Sequence, residues 1–131
     1  MSTLSTANIT SKAANTPPVI KDVNGTECGQ FARAWVNINQ TGTQAIRDSF
    51  NVASITDGST GRTTVTFTNA MPNANYAIVI GAAGTGSYSD WSAIQFYKQS
   101  DVATTSFRVE NVDENDNYYD TNGMSVVVFG G

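Results

Sequence analysis

Residues Arg62 to Thr68 read RTTVTFT, and this stretch decides the fold class because its apolar and polar side chains alternate strictly. Val65 and Phe67 fall on one face of an extended chain, and the intervening threonines fall on the other. A period of two residues, with threonine, valine and phenylalanine at its positions, is typical of a strand with one buried face. The stretch therefore predicts a strand that covers a hydrophobic core.

Similar segments recur on both sides of this strand, separated by turns rich in Gly, Asn and Asp. The pattern predicts further strands at 31–39, 45–55 (two short strands around Asp48-Ser49), 76–82, 91–97, 106–112 and 124–129, with a turn at 57–61 and a polar loop at 113–123. No window keeps a helical period over three turns. Seven or eight short strands indicate an all-β chain, folded as an antiparallel β-sandwich or jelly-roll-like domain.

The segment 31–39, FARAWVNIN, places Ala34, Val36 and Ile38 on one face of its strand. Trp35 falls on the opposite face, together with Arg33 and Asn37. A large aromatic ring on this mixed face is expected either in the core or at a subunit interface, and the interface is the preferred interpretation.

Residues 1–30 differ in character from the rest of the chain, because large apolar residues are sparse before a Pro17-Pro18 pair that favours an extended chain. A short strand is expected within 19–23, and Asn24-Gly25 is a strong turn signal. We therefore predict a docking or trimerisation arm over 1–30 and a sandwich domain over 31–131. The arm residues expected to make contacts are Leu4, Ile9, Pro17, Pro18, Val19 and Ile20.

The composition argues against several classes of function. The chain carries a net charge of −4 and only seven dispersed basic residues, which disfavours nucleic-acid binding. It contains no histidine and a single cysteine, Cys28, so the common catalytic triads and zinc sites cannot be assembled. We expect no enzymatic activity and no cofactor. We also expect no signal peptide and no membrane insertion, so that synthesis takes place in the cytoplasm.

The loop VDENDNYYDTNG, residues 112–123, holds the residues that best match a cation site. Its carboxylates are weak candidates for calcium ligands, although their spacing differs from that of an EF-hand loop. These candidates are Asp113, Glu114, Asp116 and Asp120. The alternative is a solvated loop whose charges keep it in water.

Aromatic side chains near polar residues form a second candidate site, since rigid rings bury area at small entropic cost and sugars stack on them. This possible recognition surface consists of Tyr88, Asp90, Trp91, Tyr118 and Tyr119. Packing in the core or at a subunit interface is the alternative for these rings.

From residue 25 onward the sequence resembles a domain found in bacteriophage tail-fibre and other virion surface proteins, particularly those of marine and cyanobacterial phages. The segments that carry the resemblance are GTECGQ at 25–30, ARAWVNIN at 32–39, AIRDSFNV at 45–52, SITD at 54–57, GRTTVTF at 61–67, AMPNANY at 70–76 and SVVVFG at 125–130. The resemblance implies an all-β domain that forms homotrimers on the virion surface, with the variable stretch 81–120 as the place for host or partner specificity.

Together these observations predict a virion structural protein, a short trimeric fibre or fibre tip that is held to other virion proteins by residues 1–30. A host surface glycan is a possible further partner. Two alternatives remain open: a capsid decoration protein and, from another class, a carbohydrate-binding module.

Overall fold

A computed structural model describes residues 8–10, 17–83 and 94–131. The chain divides into two compact units, Met1–Phe31 and Ala32–Gly131.

The first unit contains a small β-hairpin of strands β1 (Ile20–Lys21) and β2 (Glu27–Gly29). Its turn is built by Asp22, whose Oδ1 accepts hydrogen bonds from the backbone N–H groups of Asn24 and Thr26, each at 2.9 Å. Gly25 adopts a φ of 83°, a region that side chains disfavour. The predicted strand and the Asn24-Gly25 turn are both confirmed.

The second unit is a sandwich of two four-stranded antiparallel sheets. In chain order its strands are β3 (Ala34–Asn39), β4 (Ala45–Phe50), β5 (Val52–Ser59), β6 (Arg62–Phe67), β7 (Ala77–Ala83), β8 (Ile94–Tyr97), β9 (Ser106–Val112) and β10 (Gly123–Phe129). The first sheet has the order β4-β3-β10-β7, and the second has the order β5-β6-β9-β8. The prediction of an all-β antiparallel sandwich is confirmed.

The core is formed by inward-facing residues of the central strands of both sheets, together with Met71 and Tyr76 from the connection between β6 and β7. The buried residues of this core cluster are Ala34, Val36, Ile38, Val65, Phe67, Met71, Tyr76, Phe107, Val109, Met124, Val126 and Val128. At its centre the ring of Phe67 lies 5.6 Å from that of Tyr76 and 5.4 Å from that of Phe107, measured between centroids. Such tilted and edge-on aromatic contacts stabilise a core beyond the area they bury.

A buried polar cluster joins the two sheets. Gln40, just after β3, donates from Nε2 to the hydroxyl of Thr63 on β6 at 3.0 Å, and Thr63 donates to Gln44 Oε1 at 2.7 Å. The Gln40 Oε1 accepts the backbone N–H of Thr121 at 3.2 Å. Because these buried groups satisfy one another, the cluster avoids the cost of unpaired polar atoms and ties the loop before β10 to both sheets.

Two predicted boundaries are wrong. The strands around 45–55 do not separate at Asp48-Ser49, where β4 continues; they separate at Asn51, which adopts a left-handed φ of 55°. The predicted turn at 57–61 is narrower than expected, because β5 extends to Ser59 and only two residues lie between it and β6. The other predicted strands are found within one to three residues of their expected limits where the structure describes them, with residues 91–93 of the predicted strand 91–97 outside the described part.

Candidate functional site

The outer face of the second sheet carries an ionic cluster centred on Glu110 of β9, which is only 3% exposed. Its Oε1 lies 2.8 Å from Arg108 Nη2 and 3.7 Å from Arg62 Nε, and its Oε2 accepts a hydrogen bond from the Tyr118 hydroxyl at 2.9 Å. Arg108 also pairs with Asp101 through Nη1 at 2.9 Å. These partners stabilise the charged carboxylate of Glu110 in its buried position, since every charge in the cluster has an opposite charge nearby.

Tyr118 lies over this cluster. The guanidinium carbon of Arg62 is 3.8 Å from the centroid of the Tyr118 ring, a cation–π contact. The pKa of Arg62 lies above its ordinary value, mainly because of its interaction with Tyr118 and to a smaller extent because of Glu110. Tyr118, Glu110 and the two arginines thus hold the loop 113–122 against the sheet, and 36% of the Tyr118 surface stays exposed.

Two of the four acidic residues of the loop, Asp113 and Asp120, bind backbone N–H groups. Asp113 Oδ1 accepts the backbone N–H groups of Asn115 at 2.8 Å and Asn117 at 2.9 Å, and these bonds, led by that from Asn117, lower the pKa of Asp113. Asp120 Oδ1 accepts the backbone N–H of Gly61 at 2.7 Å. Within the described residues, no three acidic, cysteine or histidine side chains come together as metal ligands. Asp113 and Asp120 therefore act as caps for the backbone.

The predicted recognition surface is only partly visible. Tyr118 is exposed, whereas Tyr119 is half-buried and its backbone pairs with Asn111, whose Nδ2 donates to the Tyr119 carbonyl at 2.8 Å. Tyr88, Asp90 and Trp91 lie outside the described residues. The proposed grouping of these five residues stays a prediction.

Sequence reasoning missed the Glu110 cluster. The signal was present in the alternation of β9, where Arg108 and Glu110 fall on the face opposite Phe107 and Val109. Their partners, Arg62 and Tyr118, could be added only once the pairing of β6 with β9 and the path of the loop were known.

The predicted arm residues are exposed where the structure describes them. Ile9, Val19 and Ile20 are exposed, Pro17 and Pro18 are half-buried, and Leu4 lies outside the described residues. Val23, in the hairpin turn, is fully exposed. An apolar surface of this kind on a hairpin of five strand residues is unusual for a unit that makes no further contacts.

Trp35 is not a core residue. It lies on the outer face of the first sheet with 36% of its surface exposed, while its neighbours Ala34 and Val36 are buried. The preferred interpretation of Trp35 as an interface residue stays a prediction.

No protein-family model and no curated protein matches the chain. Among solved structures, the chain is similar to the phiAB6 tailspike, crystallised in complex with three-repeated oligosaccharides of Acinetobacter baumannii surface polysaccharide. The two share 16% sequence identity with a TM-score of 0.54, over 97% of this chain and 30% of the tailspike chain. The chain thus spans less than a third of the tailspike's length, and the likeness is one of fold.

No helix among the described residues has the length and hydropathy needed to cross a bilayer.

Proposed function

We propose that this chain is a structural protein of a phage particle, a short trimeric fibre or fibre tip on the particle surface that its N-terminal arm attaches to other virion proteins. The exposed apolar side chains of the first unit, above all Val19, Ile20 and Val23, carry this proposal. Burying an aliphatic side chain of this size against a partner contributes about 1.5–3 kcal/mol. A hairpin this short has no core of its own, so its apolar side chains serve attachment.

The fold supports the same conclusion. The fold of this chain, a sandwich of short antiparallel strands, is similar to part of the phiAB6 tailspike. Its sequence from residue 25 onward also resembles phage surface proteins. We assign no catalytic role, because the chain has no histidine and the charges of its best-formed polar cluster neutralise one another.

Attachment can be tested with particles assembled without this chain. Purified wild-type protein is expected to co-sediment with such particles, and the double variant Val19→Ser, Val23→Ser is expected to bind at least about tenfold more weakly, since two buried aliphatic contacts are lost. The matched control is Phe96→Ser, which removes an exposed apolar side chain from the sandwich and should bind as the wild type does.

Equal co-sedimentation of the double variant and the wild type would contradict attachment through the arm. Failure of the wild type to bind any particle would contradict the virion assignment itself. Gold-labelled antibody on the bound particles separates the two structural alternatives, because label at the tail indicates a fibre and label over the shell indicates capsid decoration.

A further inference from the structure

Each sheet of the sandwich has two edge strands, and three of these four strands carry features that oppose pairing with a further strand. β4 contains the charged residues Arg47 and Asp48, and its register with β3 is irregular. β5 contains Asp57, and its register with β6 shifts twice. β8 is only four residues long and is followed by Lys98. Charges, bulges and short length are common means by which proteins protect the edges of their sheets.

β7 has none of these features. It runs for seven residues, Ala77–Ala83, in continuous register with β10, and it contains neither a charged residue nor a proline. The uncharged stretch extends beyond the strand, since the sequence 63–89 has no Asp, Glu, Lys or Arg. Among the residues that the structure describes, β7 pairs with β10 alone. Within this part of the molecule its outer edge is therefore open to a further strand.

The side chains of β7 also leave room for a strand beside it. Ile78 and Ile80 pack against the core but are only half-buried, so the rim of the core is incompletely covered at this edge. On the opposite face Val79 is 57% exposed, and a Cβ placed on Gly81 would meet no atom within 4 Å. A strand added here would bury apolar surface while its backbone pairs with that of β7.

We propose that β7 accepts a strand from a neighbouring copy of this chain, and that the donor is the segment 2–10, STLSTANIT. Of this segment the structure describes residues 8–10. The inference rests on the proposed function, which expects three copies, and it assigns the contact that holds them together. Each copy donates one strand and receives another, so that its first sheet gains a fifth strand.

Charge selects this donor within the first unit of the chain. A charged side chain would lose water against the apolar surface of β7, so an uncharged strand is the better match. Before residue 31, the uncharged stretches long enough for a strand are 1–11 and 13–20. The second contains Pro17 and Pro18, which cannot donate hydrogen bonds to a sheet. The segment 2–10 lies within the first, and its threonines and isoleucine favour extended structure.

The apolar residues of the segment also match the two faces of β7. Leu4 and Ile9 are five residues apart, so they fall on opposite faces of an extended chain. In one antiparallel register Ile9 lies opposite Ile78 at the rim of the core. Leu4 then lies opposite Ala83 on the outer face, next to the open space at Gly81. Ile9 is 61% exposed in the isolated chain and is thus free to pack against a second copy.

Symmetry favours a donated segment over a second β7 as the occupant. Two β7 edges paired with each other would form a twofold contact, which stops at two copies. A segment donated to the next copy gives a head-to-tail contact instead, and three such contacts can close into a ring. Strand donation therefore agrees with the trimer that the proposed function expects.

The test is the mass of the full chain in solution, measured by light scattering over a dilution series. The wild type is expected to approach three times 13.9 kDa when concentrated. Two variants should give the mass of one chain at that concentration: the edge variant, Val79→Lys, and the donor variant, Leu4→Lys with Ile9→Lys. Lysine brings the net charge of −4 closer to zero, so general repulsion does not explain a loss of mass. Circular dichroism checks that each variant is folded.

Phe50→Lys is the matched control. Phe50 is 54% exposed on β4, so this variant adds the same charge at a similarly exposed site on the opposite edge of the same sheet. It should keep the mass of the wild type. The double variant Val19→Ser, Val23→Ser should also keep it, since these two residues serve attachment to the particle.

A mixture of the edge variant and the donor variant tests whether the strand passes between copies. The edge variant retains an intact donor segment, and the donor variant retains an intact β7. One contact can form between them but the ring cannot close, so the mixture should contain complexes of twice 13.9 kDa. Complexes of three chains in this mixture would overturn the proposal.

A folded edge variant or donor variant that keeps the assembled mass would also contradict strand donation, and so would a wild type that stays a single chain or stops at two chains. Such results leave the attachment to particles intact, because co-sedimentation through Val19 and Val23 is measured separately. Conversely, a wild type that forms the trimer through β7 but binds no particle would support strand donation and contradict the virion assignment.

Discussion

Gly61, in the two-residue turn between β5 and β6, is fixed by two separate constraints. Its φ is 69°, and a Cβ placed on it would lie 2.6 Å from the Asn111 carbonyl oxygen and 2.9 Å from the Tyr119 nitrogen. Any side chain here would push the loop that carries Tyr119 away from the sheet. Sequence reasoning predicts a turn at this glycine, but the close approach of two backbone segments could not be read from the turn alone.

Gly61→Ala is expected to lower the free energy of unfolding by at least about 3 kcal/mol, which combines backbone strain with a steric clash. Gly42→Ala is the matched control, because Gly42 has nearly the same φ, 70°, and no atom within 4 Å of an added Cβ. It should lose only about 1 kcal/mol. Denaturant unfolding of both variants measures the difference. If the two variants lost the same free energy of unfolding, the backbone atoms around Gly61 would have moved aside for the added Cβ without a loss of stability.

Tyr76 couples stability to alkaline pH. It is 7% exposed, and burial raises the pKa of its hydroxyl to about 12, although the hydrogen bond donated to the Ala103 carbonyl at 2.8 Å acts in the opposite direction. Below its ordinary pKa of 10, Tyr76 is protonated in both the folded and the unfolded chain, so its contribution is complete. Between these two values the unfolded chain loses the proton first, and the folded state loses stability as the pH rises.

From pH 9 to pH 12 the stability of the wild type relative to Tyr76→Phe should therefore fall by on the order of 2 kcal/mol, so that the variant becomes the more stable protein at the alkaline end. Near neutral pH the variant should be less stable by about 1 kcal/mol, since it lacks the hydroxyl hydrogen bond. The measurement is denaturant unfolding of both proteins across this range. A constant difference would mean that Tyr76 ionises as easily in the folded chain as in the unfolded one.

At the scale of elements, Asn51 moves the chain from the edge of one sheet to the edge of the other within a single residue. Its side chain Nδ2 lies within hydrogen-bonding distance of the carbonyls of Arg33 and Asn69, at 3.1 and 3.2 Å, and its Oδ1 accepts the Asn69 N–H at 2.8 Å. Asparagine tolerates the left-handed conformation better than other residues with a side chain. Both properties make Asn51 the joint between β4 and β5.

Two substitutions separate these properties. Asn51→Gly keeps the conformation but loses the side-chain hydrogen bonds, and we expect a loss of about 2 kcal/mol in unfolding free energy. Asn51→Ala loses the same bonds and adds the strain of a left-handed alanine, about 1 kcal/mol more. Thermal or denaturant unfolding tests the order, and if alanine proved as stable as glycine the backbone strain would be absent.

The strands themselves were largely predictable, and the reason is physical. Where one face is buried, as in β3 and β6, the period of two is imposed by the core and appears directly in the sequence. The break at Asn51 was not predictable, because a one-residue switch needs neither glycine nor proline and the apolar residues continue on both sides of it. Asp48-Ser49 looks more like a turn, yet both residues pair with β3.

At the scale of the whole molecule, the order of strands was beyond sequence reasoning. The pairs β3–β10 and β6–β9 join segments about 90 and 45 residues apart. The alternation of apolar and polar residues shows which face of each strand is buried, but it does not show which strand lies beside it in the sheet. The same limit hid the alignment of apolar side chains across the outer face of the first sheet. Trp35 could be assigned to an outer face from its own strand, but its alignment with Phe50, Val127 and Val79 depends on three registers.

The adjacency of β3 and β10 governs when this protein can fold during its synthesis. Each lies at the centre of the first sheet, and β10 is translated long after β3. Until β10 has left the ribosome, the newly made chain holds a half-built sheet with its hydrophobic side uncovered. Chains that end before Phe129 are therefore expected to remain unfolded and open to proteases.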